Sequence, residues 1–243
     1  MSLLVKITFE MQKDVLNLRA SGMPAAEIAK KVGLSVRSVQ RIARVTAYHE
    51  AGHAAAGAIF KQNPDWATII PDPKANILAE VTRLDGDLVS EEGLKEEIIF
   101  CYAGQYAELR AGSSARRAKL AAMTDDETAR DYILRLCGED ATEEELSATE
   151  EEMRAAASEF INEHWALVER IATELLERTT LVWEELDGLR AIYLGEKTEE
   201  DLRQWRESFA NLDEQCSAIG KTAVYKGSSK QFAPDIISTW SCE

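Results

Sequence analysis

TAYHEAGHAAAGAIFK, residues 46–61, is the stretch whose reading decides the fold. Its alanines favour a helix, and within it His49-Glu50-Ala51-Gly52-His53 forms an HExxH pattern. On a helix, positions four apart differ by about 40° in azimuth and about 6 Å in rise, so both imidazoles leave from one face and can reach one small cation. Neutral imidazole nitrogen suits Zn²⁺ at about 2.0–2.1 Å. Glu50, the next residue, points elsewhere; it is placed to take a proton from a zinc-acidified water and to pass it to a leaving amine. Ala51 and Gly52 are small, which lets a neighbouring helix come close. The chain has only three histidines, His49, His53 and His164, so a chance HExxH has a probability of roughly under one per cent. A structural zinc site takes four protein ligands and a catalytic one keeps a position open. No cysteine is near in sequence, which favours the catalytic reading. The xxGxxH extension of the metzincins is absent after His53. A carboxylate must then complete the set unless His164 reaches in, and Glu108, Asp125 and Asp126 are the candidates between which spacing does not choose.

Upstream of this stretch the charge changes sign. The 243 residues carry a formal charge of −15. Residues 1–44 hold eight Lys/Arg against three Asp/Glu, a local +5, which leaves −20 on the rest. The total alone would repel nucleic acid, but the split removes that exclusion for the N-terminus. There LRASGMPAAEIAKKVGLSVRSVQRIARV (18–45) resembles a helix-turn-helix. Ala29 is small where two helices must cross, Gly33 suits the tight turn, Ser35 suits the cap, and Val39 and Ile42 face inward. Arg37, Ser38, Gln40, Arg41 and Arg44 then face outward, a set able to touch phosphates and base edges of DNA. The plainer alternative is a packing module whose basic face balances the acidic body. No linker separates Ile42 from His49, so either one helix runs from 36 to about 61 or it kinks around Val45–Ala47.

Downstream, Asn63-Pro64-Asp65 ends the helix, and WATIIP (66–71) and ILAEVTRL (77–84) read as two strands joined by DPKAN. Helices are expected over 91–112, 123–138 with Thr124 as cap, 147–181 as one or two long helices, and 183–195, with a loop at 112–117. The acid-rich segment 138–163 reads as a solvated helix face. Residues 196–243 form a C-terminal extension with one more helical stretch and a poorly patterned end. No apolar run approaches the roughly 20 residues of a membrane span, and the N-terminus lacks a signal-like apolar region. Four scattered cysteines point to a reducing, cytoplasmic setting. Neither GxxxxGK[ST] nor GxGxxG occurs.

The same residues resemble the FtsH-type zinc metallopeptidases. TAYHEAGHAAAGAIF is similar to that family's active-site helix, DWATIIPDPKANILAEVTRL (65–84) to its short hairpin, and LKEEIIFCYAGQYAELRAG (94–112) to its next helix. MTDDETARDYILRLCG is similar to the segment that supplies an aspartate as third zinc ligand, which places Asp125 in that role with Asp126 as fallback. INEHWALVERIATELLERTTLVWEELDGL (161–189) is similar to its last helices. The resemblance implies a mainly α, zincin-like helical domain with a small β-hairpin over 46–195, preceded by the helix-turn-helix-like unit at 1–45. It implies one Zn²⁺ per chain on His49, His53 and Asp125, with Glu50 catalytic. The family couples its peptidase to an AAA+ ATPase in a hexameric chamber and carries a membrane anchor, and neither is expected here. The activity expected is hydrolysis of unfolded or flexible polypeptide without an ATPase of its own, with a homo-oligomer or a partner ATPase as the implied assembly. Thr124 and Gln105-Tyr106 depart from the family pattern. The alternative reading is a DNA-binding regulator with a structural or non-catalytic zinc site.

Overall fold

The structure is a computed structural model and describes residues 7–62, 64–72, 78–83 and 88–218. The expected strand-joining loop and the end beyond 218 lie largely or wholly outside these residues.

Three helices open the chain. α1 (Phe9–Ala20) starts at Thr8, whose hydroxyl accepts from the amide of Met11. α2 (Ala25–Val32) stops at Gly33, which adopts φ +71°, a left-handed conformation that costs glycine nothing. Ser35 then caps α3 (Val36–Ile59), accepting from the amide of Ser38. Val15, Leu16, Ile28, Ala29, Val39, Ile42 and Ala43 bury one another as a separate small core. Of the two courses open to residues 36–61, the chain takes the single helix: α3 runs 24 residues without interruption, a length of about 36 Å. The boundary between the two expected units therefore falls inside one rigid helix.

The sheet has three strands rather than a hairpin's two. β1 (Pro64–Thr68) and β2 (Glu80–Arg83) pair antiparallel as expected. β3 (Thr180–Val182) pairs antiparallel with the other edge of β1, giving the order β2-β1-β3. The helical pattern of 147–181 concealed β3. The helix stops because Thr179 takes φ +68°. The β-branched Thr180 then finds a partner on β1, its hydroxyl lying 2.7 Å from that of Thr68.

The remaining helices wrap α3. α4 (Glu91–Arg110) starts at a Ser90 cap. α5 (Ala115–Ala121) occupies the expected loop, started by a Ser114 cap. α6 (Met123–Cys137) has Ala122 at its cap position and no side-chain cap, so Thr124 lies inside the helix rather than capping it. α7 (Glu143–Glu163) opens on a Thr142/Glu145 capping box. His164 divides it from α8 (Trp165–Arg178), so of the one or two helices expected over this stretch the chain forms two. α9 (Trp183–Tyr193) and α10 (Glu199–Ala218) follow. The main core joins the alanines of α3 to Ala103, Ile171, Leu175, Leu181 and Leu189. A second cluster, including Ile98, Tyr102, Ile133 and Met153, ties α4 to α6 and α7. The N-terminal helices dock on this body through two polar contacts: Arg19 donates to the carbonyl of Leu176 (2.6 Å) and Arg117 donates to Gln12 (3.0 Å). Among the described residues no helix is long and apolar enough to cross a membrane.

Candidate metal centre

The site exists because α3 and α4 approach almost backbone to backbone. A Cβ at Gly52 would collide with the carbonyl oxygen of Ala103 on α4. A Cβ at Gly104 would collide with Nε2 of His53 and stand 2.8 Å from Nε2 of His49. Glycine on each helix thus permits the crossing, and the one on α4 leaves a small open volume where both imidazoles point.

Into that volume α6 directs Asp125. Nε2 of His49 lies 3.2 Å from Nε2 of His53 and 3.2 Å from Oδ2 of Asp125, and Nε2 of His53 lies 3.5 Å from the same oxygen. Donor atoms held tetrahedrally at about 2.0–2.1 Å from one centre are about 3.3–3.4 Å apart, so the triangle fits one small cation. His49 and His53 are buried and Asp125 is half-buried. No fourth His, Cys, Asp or Glu joins the set among the described residues.

The other ring nitrogens are held from behind. Nδ1 of His53 lies 2.8 Å from the carbonyl oxygen of Phe100 and donates to it, which leaves Nε2 as the lone-pair nitrogen. Nδ1 of His49 faces Oε2 of Glu108 at 3.5 Å. That distance is at the outer edge of a hydrogen bond, and no closer partner is present among the described residues. Glu108 is itself buried and accepts from Arg117 (2.9 Å) and from Ser113 (2.5 Å). It is a partner behind His49 rather than a third ligand.

The electrostatics mark a place built for positive charge. Burial alone would lower the His49 imidazole, but the carboxylates of Asp125, Glu108 and Glu50 outweigh it and raise its pKa to about 10. Burial acts to raise Asp125, yet His53 and His49 hold it well below the ordinary carboxylate range. Glu50 is buried beside the centre, and that burial pushes it up to about 7 against the pull of His49 and His53. Glu80 on the edge strand β2 also acts on it. The carboxylates of Asp125, Glu108 and Glu50 thus all favour positive charge at His49.

The fallback ligand is not in the site. Asp126 pairs with Arg154 at 2.9 Å. The same guanidinium donates to Gln105 (3.0 Å) and Glu150 (2.9 Å), which ties α6 to α4 and α7 and sets which aspartate turns inward. His164 is also elsewhere, with Nδ1 3.2 Å from the hydroxyl of Tyr193. The supporting parts that the sequence reading did not single out are Gly104, the Phe100 carbonyl, Arg117 and Arg154. Of these only Gly104 had a signal, since a glycine inside a helical pattern asks for a packing reason.

Of the expected DNA-facing residues, Arg37, Gln40, Arg41 and Arg44 are exposed on α3. Ser38 is half-buried and its hydroxyl lies 2.9 Å from that of Ser35, so it belongs to the cap.

No family model matches the chain, and no curated protein is significantly similar to it.

Proposed function

We propose that the protein is a zinc-dependent metallopeptidase, with His49, His53 and Asp125 as ligands and Glu50 as the proton-transferring residue. The observation that carries the reading is the convergence of two Nε2 atoms and one carboxylate oxygen at tetrahedral spacing, next to a buried glutamate. The set has three protein donors, which is the count of a catalytic rather than a structural zinc site.

A bound Zn²⁺ would supply the Lewis acidity that polarises a carbonyl and acidifies water. The chain supplies the rest. His53 is oriented by the Phe100 carbonyl and His49 by Glu108, so neither ring needs to reorganise. Glu50, which follows the first ligand, takes a proton from the attacking water and returns it to the departing amine. β2 is an edge strand with Glu80 near Glu50, and an extended polypeptide added to that edge would run past the centre. Such a substrate must already be unfolded or flexible, unless a partner ATPase supplies the force.

The test is metal analysis joined to digestion of a natively unfolded protein such as casein. Wild type should hold one zinc per chain and cleave. Glu50→Gln should hold the same zinc and lose cleavage by about two orders of magnitude or more. Undiminished cleavage by that variant would overturn the assignment. Zinc bound without any cleavage by wild type would favour the non-catalytic alternative.

A further inference from the structure

We infer that the exposed face of the first turns of α3 binds duplex DNA in the major groove. This does not rest on the metal site. α1, α2 and the start of α3 have a core of their own. α2 and α3 are joined by three residues, Gly33 to Ser35, with Gly33 in the left-handed conformation. That is the length and chemistry of the turn that sets a second helix across a first in DNA readers.

On α3 the side chains at 37, 40, 41 and 44 fall within an arc of about 100°, and all four are exposed. Several arginines of the body pair internally, Arg117 with Glu108, Arg154 with Asp126, and Arg206 with Glu174 and Glu185, while exposed Arg116 and Lys119 make no ion pair among the described residues. Arg37 and Arg41, with Lys30 and Lys31 at the end of α2, make no ion pair among the described residues. Arg44 leans over the ring of Tyr48 at 5.4 Å and marks where the free face ends and the body begins.

The donor set fits a duplex. A guanidinium grips guanine O6 and N7 or a phosphate in bidentate fashion, and the Gln40 amide matches adenine N6 and N7. Lys30 and Lys31 lie where flanking phosphates would be held. The RNA major groove is too deep and narrow to admit a helix, so DNA is the favoured duplex.

Fluorescence anisotropy of the full chain with a labelled mixed-sequence DNA duplex at low salt tests this. Wild type is expected to bind, with log K falling linearly in log salt by about 0.9 for each phosphate neutralised. Arg37→Ala and Arg41→Ala should each weaken binding on the order of tenfold. Arg203→Ala, in the acidic body, should leave it unchanged. All three positions are exposed, and circular dichroism should report unaltered folding. No binding at low salt, an equal loss in Arg203→Ala, or equal affinity for an RNA duplex would each overturn the proposal.

Discussion

Replacing Gly104 by alanine would put a methyl group where His49 and His53 converge, against both Nε2 atoms. The variant keeps every ligand, yet it is expected to lose metal affinity on the order of 10- to 100-fold, the range typical of disturbed metal surroundings. Competition with a chromophoric chelator reads this directly, and wild-type affinity in that variant would contradict the geometry described. The ligand pair His49/His53 was legible in the sequence because four-residue spacing fixes a common helix face whatever surrounds it. Spacing left Asp125 and Asp126 open, and only the resemblance put Asp125 first. Adjacent helical residues point about 100° apart, so the rotation of α6 decides, and that rotation is held by Arg154 reaching Asp126, Gln105 and Glu150. Glu108, a candidate ligand by composition, serves behind His49 instead.

At the scale of elements, α10 is clamped to the body by charges that only the packed chain brings together. Arg206 donates to Glu185 (2.8 Å) and Glu174 (3.0 Å), and both carboxylates are buried. Leu202 packs beside Gly188, where a Cβ would stand 3.0 Å from its methyl carbon. Part of the expected C-terminal extension is thereby built into the body. Burial acts to raise the Glu174 carboxyl, but Arg206 and its neighbours Arg170 and Arg178 hold it below 4.5. A carboxyl lower in the folded than in the unfolded state adds stability that is whole above pH 4.5 and fades as pH falls through the folded value. Thermal midpoints measured against pH should show this acid limb in wild type and a flatter one in Glu174→Gln. Equal slopes would remove the clamp from the account. Element type was largely readable from caps and alanine content. α5 and β3 were missed because each is short and is fixed by its neighbours: β3 by β1 and α5 by the Glu108–Arg117 pair.

At the scale of the whole molecule, a cation held at this centre would be linked to folding. The centre draws ligands from α3 and α6 and backing groups from α4, and α5 braces Glu108. A metal that binds only the folded chain stabilises it by about 2.7 kcal/mol at a free concentration one hundred times its dissociation constant. Zinc should therefore raise the thermal midpoint of wild type and of Glu50→Gln alike, and leave His49→Ala unmoved. A calorimetric scan with and without chelator checks this, and a shift that persisted in His49→Ala would place the metal elsewhere. The same linkage gives the continuous α3 a consequence. Arg37 and His49 stand on one helix, so the free basic face and the ligand pair cannot tilt independently.

What the sequence determined by itself were the local quantities: helix against strand, the histidine pair, the sign change in charge, and the cap and glycine between α2 and α3. Each depends on residues a few positions apart, where chain geometry leaves little choice. The tertiary structure decided which aspartate α6 turns toward the two imidazoles, that one helix runs unbroken through Val45–Ala47, and that β1 takes a partner more than a hundred residues away. Those outcomes depend on how closely helices can cross. Here two glycines, Gly52 and Gly104, set that distance, and their effect is felt only when α3 and α4 meet.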